Sequence, residues 1–377
     1  MMHSTFFTST HKRMFISLLL IGSIVLGCII YLQNPNFGKS PSGNRLERIK
    51  QSPHYKDGKF QNLTLTPDLT EGYTTFDILL EVIFRRNPRQ SPSLAIPSEK
   101  TDLKNIPIDE NILVWFGHSS YFLQLDGRKF LIDPVFGGAA SPLPFGFKAF
   151  KGSDRFVPED LPEIDYLIIT HDHYDHLDHS TVKAILPKVK KVICGLGVGE
   201  HLELWGYPLE NIIEEDWNQH IILERGFEIN TTPTRHFSGR SFKRNNTLWM
   251  SYVLQTPTQK IYIGGDSGYD SHFSKIGHEF GPFDLAILEN GQYDVKWKYI
   301  HLLPEEVLKA ATELKAKRLF PVHSSKFAMS NHDWDEPLKR ILLNNEKVKM
   351  PLITPLIGEK VILSDTVRQY RSWWNGF

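Results

Sequence analysis

The run Leu167-Ile168-Ile169-Thr170-His171-Asp172-His173-Tyr174-Asp175-His176-Leu177-Asp178 constrains this chain more than any other feature. Its apolar, β-branched opening reads as a buried strand, and three histidines and three aspartates crowd the residues just after it. On an extended backbone His171 and His173 project to the same side and can share one ion. Asp175 and His176 follow where a turn redirects the chain, presenting a carboxylate and another imidazole to a neighbouring ion. A solvated loop with incidental histidines explains one or two such residues, but poorly explains this constellation directly after a strand. The fold must therefore end a buried strand at a polar cleft and bring further ligands there from elsewhere.

Three candidates for those ligands end apolar segments downstream. His236 comes shortly after the strand-like Phe227-Glu228-Ile229-Asn230-Thr231. Asp266 follows Lys260-Ile261-Tyr262-Ile263-Gly264-Gly265, where paired glycines let the backbone turn tightly and bring a carboxylate close to a metal. His323 closes Arg318-Leu319-Phe320-Pro321-Val322. Taken singly, each could be a turn, surface or core residue; their shared position at the ends of successive strands groups them.

With these residues in place, the sequence resembles the metallo-β-lactamase superfamily, whose His-x-His-x-Asp-His motif and later His, Asp and His ligands match in identity and order. Further segments resemble its N-acylphosphatidylethanolamine-hydrolysing phospholipase D family: Trp115-Phe116-Gly117-His118, Leu131-Ile132-Asp133-Pro134, Gly264-Gly265-Asp266-Ser267-Gly268, Phe280-Gly281-Pro282-Phe283-Asp284 and His301-Leu302-Leu303-Pro304-Glu305-Glu306. The likeness runs from about Ile112 to about Pro337. It implies that His171, His173 and His236 hold one zinc, that Asp175, His176 and His323 hold a second, and that Asp266 bridges the two ions. It also implies hydrolysis by a hydroxide bridging the ions, with Asp175, Asp266 and His301 as the catalytic group. Such ions lower the pKa of bound water to roughly 7 and neutralise charge growing on a phosphoryl oxygen. The implied substrate is N-acylphosphatidylethanolamine or a related phospholipid, cleaved to phosphatidic acid and an N-acylethanolamine. Another hydrolase of this fold, such as a sugar-phosphate lactonase or a different phosphodiesterase, would use the same pair of ions. A non-catalytic zinc-binding module would be favoured only if a ligand were missing.

His301 is assigned contact with substrate or leaving group, although its place ahead of the helix start at Pro304-Glu305-Glu306 also suits a plain loop residue. His118 and Asp133 are candidates to support the metal-bound side chains. Asp178 and His179 read as the cap and start of a helix through Leu186. Two departures from the family pattern bear on specificity. His323 is followed by Ser324-Ser325-Lys326 where the family carries Trp-Gly, and Gln292 stands where a small residue is usual.

Strand patterns at Ile112 to Phe116, Tyr121 to Leu125, Lys129 to Ile132, Tyr166 to Ile169, Lys191 to Cys194, Trp249 to Leu254, Lys260 to Ile263 and Leu285 to Leu288 alternate with helices near Thr181, Glu305 and Pro337. This predicts an α/β fold, an αββα sandwich of two mostly antiparallel or mixed sheets flanked by helices. The hydrolase domain is expected over residues 109–377. Residues 34–108 read as a linker and an arm packed on that domain, with one helical patch at Phe76 to Arg86. Asn62-Leu63-Thr64 is a glycosylation sequon of a kind common by chance.

Residues 1–33 hold Lys12 and Arg13 followed by an uncharged stretch from Met14 to Leu32, long enough to cross a bilayer. It reads as a membrane anchor. Its first part also fits a signal sequence, and Val25-Leu26-Gly27-Cys28 resembles a bacterial lipoprotein box apart from Leu26. A buried core helix fits poorly, because the polar segment Asn34 to Gly43 follows. The basic-then-apolar start favours export of the catalytic domain, although Lys39, Arg45, Arg48 and Lys50 rival the basic residues before the span. Over the whole chain 43 basic residues balance 43 acidic ones, which argues against a nucleic-acid partner, since backbone phosphates normally demand a basic surface. With Cys28 in the apolar stretch and Cys194 the only other cysteine, thiols cannot build the metal site.

Overall fold

A computed structural model of the chain describes residues 9–143, 146–241 and 243–376. Two mixed sheets face each other. The first has seven strands, in the order β15 (Lys360–Ile362), β3 (Ile112–Trp115), β4 (Tyr121–Leu125), β5 (Arg128–Ile132), β6 (Ile164–Ile168), β7 (Val189–Gly195) and β8 (Ile212–Glu215). The second has six, in the order β14 (Leu319–Val322), β13 (Leu285–Glu289), β12 (Lys260–Ile263), β11 (Ser251–Gln255), β10 (Phe227–Thr232) and β9 (His220–Glu224). A short hairpin, β1 (Tyr55–Lys56) and β2 (Lys59–Phe60), precedes them.

Alternation along the strands explains the layering. In β3, Leu113 and Trp115 enter the core between the sheets, with Leu123, Phe130, Ile168, Ile193, Ile229, Tyr252 and Ile263. Ile112 and Val114 point the other way, into a second cluster with Val182 and Ile185 of α4 (His179–Ile185) and Leu202 of α5 (Gly199–Leu204). On the far side, α6 (His272–Glu279), α7 (Glu306–Glu313) and α8 (Glu336–Val348) cover the six-stranded sheet through Phe273, Val307, Ala310 and Ile341. Strands buried on both faces read as near-continuous apolar runs, which is why the sequence displayed them. Truncating Ile168 or Ile193 to alanine here would cost about 2–5 kcal/mol. The arrangement is the expected αββα sandwich, and both sheets are mixed.

Some boundaries move. The strand expected from Trp249 begins at Ser251, because the Trp249 carbonyl accepts the Trp217 indole N–H and Met250 N–H bonds Thr170 outside the ladder. The helix expected from Pro304 begins at Glu306, whose carboxylate accepts the Leu303 N–H. Asp178 caps α4 by accepting from Ser180 and Thr181 N–H, as its sequence position suggested.

The segment before the sandwich is more structured than the sequence indicated. Helix α1 (Ser9–Tyr31) contains Lys12–Tyr31, a 20-residue stretch long and apolar enough to cross a membrane and with none of it buried; at 1.5 Å per residue it spans about 30 Å. Beyond it, Trp205 donates to the Pro35 carbonyl and Arg240 to that of Asn36. Helix α2 (Gly43–Lys50), which the sequence reading did not anticipate, is fixed by Arg45 reaching Glu200, Glu203 and Glu214. The helical patch in the arm is α3 (Thr75–Phe84).

Candidate metal centre

Strand direction gathers the site. Strands β3, β5 and β6 run the same way in one sheet, and β10, β12, β13 and β14 share a direction in the other. The residues just past their C-terminal ends meet at one rim of the sandwich: His118 after β3, Asp133 after β5, His171 to His176 after β6, His236 after β10, Asp266 after β12 and His323 after β14. Ligand sites in sheets with parallel strands sit at such ends.

All seven expected ligands converge there, buried or nearly so. His171 Nε2 lies 2.9 Å from His173 Nδ1, which lies 3.3 Å from His236 Nε2. In the other group, Asp175 Oδ2 lies 3.4 Å from His176 Nε2 and 3.3 Å from His323 Nε2. Asp266 Oδ2 stands between the groups, 3.2 Å from His176 Nε2, 3.1 Å from His323 Nε2, 3.9 Å from His171 Nε2 and 3.8 Å from His236 Nε2. Four ligand atoms set tetrahedrally at zinc distances are about 3.3 Å apart, so both groups have the spacing of an ion's donor set.

The outward side of the imidazoles supports the same fit. Asp133 Oδ2 accepts from His176 Nδ1 at 2.8 Å and from the Thr170 hydroxyl at 2.6 Å; that hydroxyl in turn lies 3.0 Å from His171 Nδ1. His236 Nδ1 donates to the Ile300 carbonyl at 2.9 Å, and His323 Nδ1 lies 3.3 Å from the Gly291 carbonyl. These bonds fix the tautomers and leave the inward nitrogens as lone-pair donors. His176 Nε2 is buried in the cluster with no hydrogen-bond partner, a costly state that a cation would relieve. The residues therefore fit divalent metal.

His118 and Asp133 support different partners. Asp133 holds an imidazole, whereas His118 Nε2–H donates to Asp175 Oδ2 at 2.8 Å and so orients a carboxylate. Burial, then the neighbouring His323, pushes His118 down to about 3 against the pull of Asp175, which keeps it neutral and able to donate. His301 lines the cavity beside the cluster, its Nδ1 2.5 Å from Glu289 Oε2 and 4.0 Å from Asp266 Oδ2. Gly264 and Gly265 are needed for close approach, since neither has positive φ. A Cβ would lie 2.5 Å from the Ile287 carbonyl oxygen in one case and 2.5 Å from that of Met250 in the other.

The sequence reading missed several residues of the site. Glu289 ends β13, the strand-end signal that exposed Asp266, and its carboxylate also accepts from Ser267 and Leu302 N–H. Asn62 clasps the backbone of His236, donating to its carbonyl at 2.7 Å and accepting from its N–H at 3.1 Å. The sequon amide thus has a structural use in the site. Asp68, Leu69, Thr75 and Ile78 of the arm wall a cavity of about 350 Å³ over the metal cluster. The two departures are absorbed locally: Gln292 bonds His323 and Phe327 carbonyls and Met329 and Ser330 N–H, while buried Lys326 donates to the Phe116 and Val135 carbonyls. His118, Asp133, Gln292, His323 and Ser325 all have positive φ, a cost that the bonds around them must offset.

Comparison with known proteins agrees with this geometry. Residues 128–324, just over half of the chain, match the model of a beta-lactamase superfamily domain. An uncharacterized protein of Mycobacterium tuberculosis (strain ATCC 25618 / H37Rv) is 36% identical over 334 residues, covering 86% of this chain and 88% of its own. The N-acyl-phosphatidylethanolamine-hydrolyzing phospholipase D 1 of Caenorhabditis elegans is 29% identical over 312 residues, covering 74% and 86%. Among solved structures, a metallo hydrolase from the hyperthermophilic archaeon Ignicoccus hospitalis KIN4/I shares the fold at a TM-score of 0.51 and 20% identity, covering 67% of this chain and 97% of that one. The donor cluster, the fold and these relatives place the chain in the beta-lactamase superfamily, as a metal-dependent hydrolase related to the N-acyl-phosphatidylethanolamine-hydrolysing phospholipases D.

Proposed function

We propose that this protein is a phospholipase D-type phosphodiesterase acting on N-acylphosphatidylethanolamine or a related phospholipid, with two zinc ions as cofactors. His171, His173 and His236 would hold one ion, Asp175, His176 and His323 the other, and Asp266 both. The observation that carries the reading is the convergence of these side chains, Asp266 Oδ2 lying between the two groups, beneath a cavity wide enough for a headgroup. Similarity to the Caenorhabditis elegans enzyme supports the choice of substrate.

Metal held by these residues would supply a water acidic enough to serve as nucleophile near neutral pH and positive charge to offset that of the phosphoryl group. The chain's own part is positional. Asp133, Thr170 and the Ile300 carbonyl orient the imidazoles, and His118 orients Asp175. Glu289 anchors His301 through Nδ1, which leaves Nε2 to hydrogen-bond or protonate the leaving oxygen. Asp68, Leu69, Thr75 and Ile78 of the arm form one wall of the cavity that would receive the substrate. We place α1 in a membrane as the anchor, with the catalytic domain on the exported side, on the strength of its basic-then-apolar start.

The test is hydrolysis in water enriched in heavy oxygen. Attack at phosphorus puts the label in phosphatidic acid and leaves the N-acylethanolamine unlabelled. Robust lactone hydrolysis with no phosphodiester cleavage across head groups and chain lengths would overturn the reading.

A further inference from the structure

At the end of the sandwich away from the metal cluster lies a buried cation that nothing in the fold neutralises. Arg318 stands just before β14, whose other end leads into His323. The segment after α8 covers it, because Leu319 N–H bonds the Pro351 carbonyl and Ile353 N–H bonds the Leu319 carbonyl. Only 8% of Arg318 is exposed. A guanidinium buried to that extent normally faces a carboxylate. Here Nε reaches the Asp284 carbonyl at 3.4 Å, while the Asp284 carboxylate is taken by Lys317 Nζ and Lys260 N–H, each at 2.8 Å. Among the described residues no ion pair and no hydrogen bond reaches the two terminal nitrogens of Arg318. Burial holds the group below its ordinary range, and Tyr370 and Asp284 offset this only in part.

Arg318 lines a cavity of about 210 Å³ between the start of β14 and the C-terminal segment. Thr354 lines it too, 6% exposed, and its hydroxyl has no partner among the described residues. The C-terminal segment contributes Arg368 and Tyr370, the guanidinium 5.2 Å from the ring centroid. Arg368 is already engaged by the Glu359 carboxylate and the Lys360 carbonyl, whereas the Tyr370 hydroxyl has no partner among the described residues. The one carboxylate in the lining is Asp365, which is exposed and accepts Val367 N–H at 3.3 Å. Two buried donors without acceptors, on one polar cavity, call for a ligand rich in acceptors and negatively charged.

We propose that this cavity binds a phosphate group, free or carried on a small molecule. Arg318 supplies the counter-charge, since its terminal nitrogens form a fork that matches two phosphate oxygens. The Thr354 and Tyr370 hydroxyls donate to the others. Asp365 accepts the proton that a hydrogen phosphate or a singly charged phosphomonoester still carries, and repels an anion without one, such as sulfate. The site is separate from the metal centre and does not rest on the phospholipid reading.

Phosphate also binds metal ions, so the test must read locally. Hydrogen–deuterium exchange of the zinc-loaded full chain in detergent micelles, resolved by peptide, does so. Inorganic phosphate should slow exchange saturably in residues 350–356 and 365–370, and sulfate at matched ionic strength should need about tenfold more. Arg318→Met should weaken the effect about tenfold or more. It should fold like the parent, because an apolar side chain in place of a lone buried charge removes a desolvation cost. Thr354→Val, which leaves the charge in place, should weaken it to a lesser degree, and Asp365→Asn should narrow the gap between phosphate and sulfate. Glycerol 3-phosphate binding more tightly than phosphate would make the ligand a phosphomonoester; weaker binding would make it the free ion. No slowing in the two segments overturns the proposal, as does slowing confined to the peptides that carry the metal donors. Equal effects of phosphate and sulfate on the parent chain overturn it as well, by marking a general response to salt.

Discussion

The two halves of the donor cluster rest on different chemistry. His171 and His236 lean outward on neutral groups, the Thr170 hydroxyl and the Ile300 carbonyl. His176 leans on the Asp133 carboxylate, and His323 Nδ1 lies 3.4 Å from that of Glu289. The electrostatics diverge accordingly. Burial wins in the first half, holding His171 and His236 well below the ordinary imidazole range and His173 at about 4. In the second half burial pulls the same way, but Asp266, Asp175 and the supporting carboxylates outweigh it and hold His176 and His323 well above that range. The carboxylates that favour a proton there would equally favour a divalent cation in its place. The first ion would be held chiefly by imidazole geometry, the second by accumulated negative charge, and Asp266 belongs to both.

Removing the shared member should have the largest effect. Asp266→Ala is expected to lower kcat/KM on the order of a thousandfold or more, about 4 kcal/mol of transition-state stabilisation, with circular dichroism showing the fold retained. Turnover near the parent value would mean that the halves act without a bridge.

His301 comes next, because Glu289 ties it to the second half without making it one of the seven donors. His301→Ala should reduce turnover about a hundredfold, in the range of a lost acid–base or leaving-group contact, with bound metal unchanged by elemental analysis. Loss of metal along with activity would place His301 among the ligands.

Asp133→Asn sharpens the comparison most finely. It should weaken the second ion by about 10–100-fold and the first, which Asp133 reaches only through the Thr170 hydroxyl, by clearly less, as two separated steps in competition with a chromophoric chelator. Equal weakening of both would erase the distinction between the halves.

The seven side chains that converge at the rim were legible as candidates because they follow apolar runs, and a polar residue at a strand end can be read without knowing which strands are neighbours. The same signal was present at Glu289 and was passed over, since nothing in one dimension places it beside His301 and His323. Contacts made across the chain were not legible at all. Asn62 clasps a backbone 174 residues away, and Arg45 reaches Glu214 across 169. Nor could φ be read at His118, Asp133, Gln292 or His323, where tertiary bonds override a preference that reserves positive φ mostly for glycine. The strands were visible as apolar runs, but their ends were not, as at Trp249, where a side-chain bond replaces a ladder bond.

Metal content measured on the same purified, active full-length preparation tests the central claim most directly. The account predicts close to two zinc ions per chain, hydrolysis lost as a chelator strips them, and recovery when zinc is returned. Full hydrolytic activity in protein carrying no transition metal, or carrying one ion with no gain from a second, would contradict it.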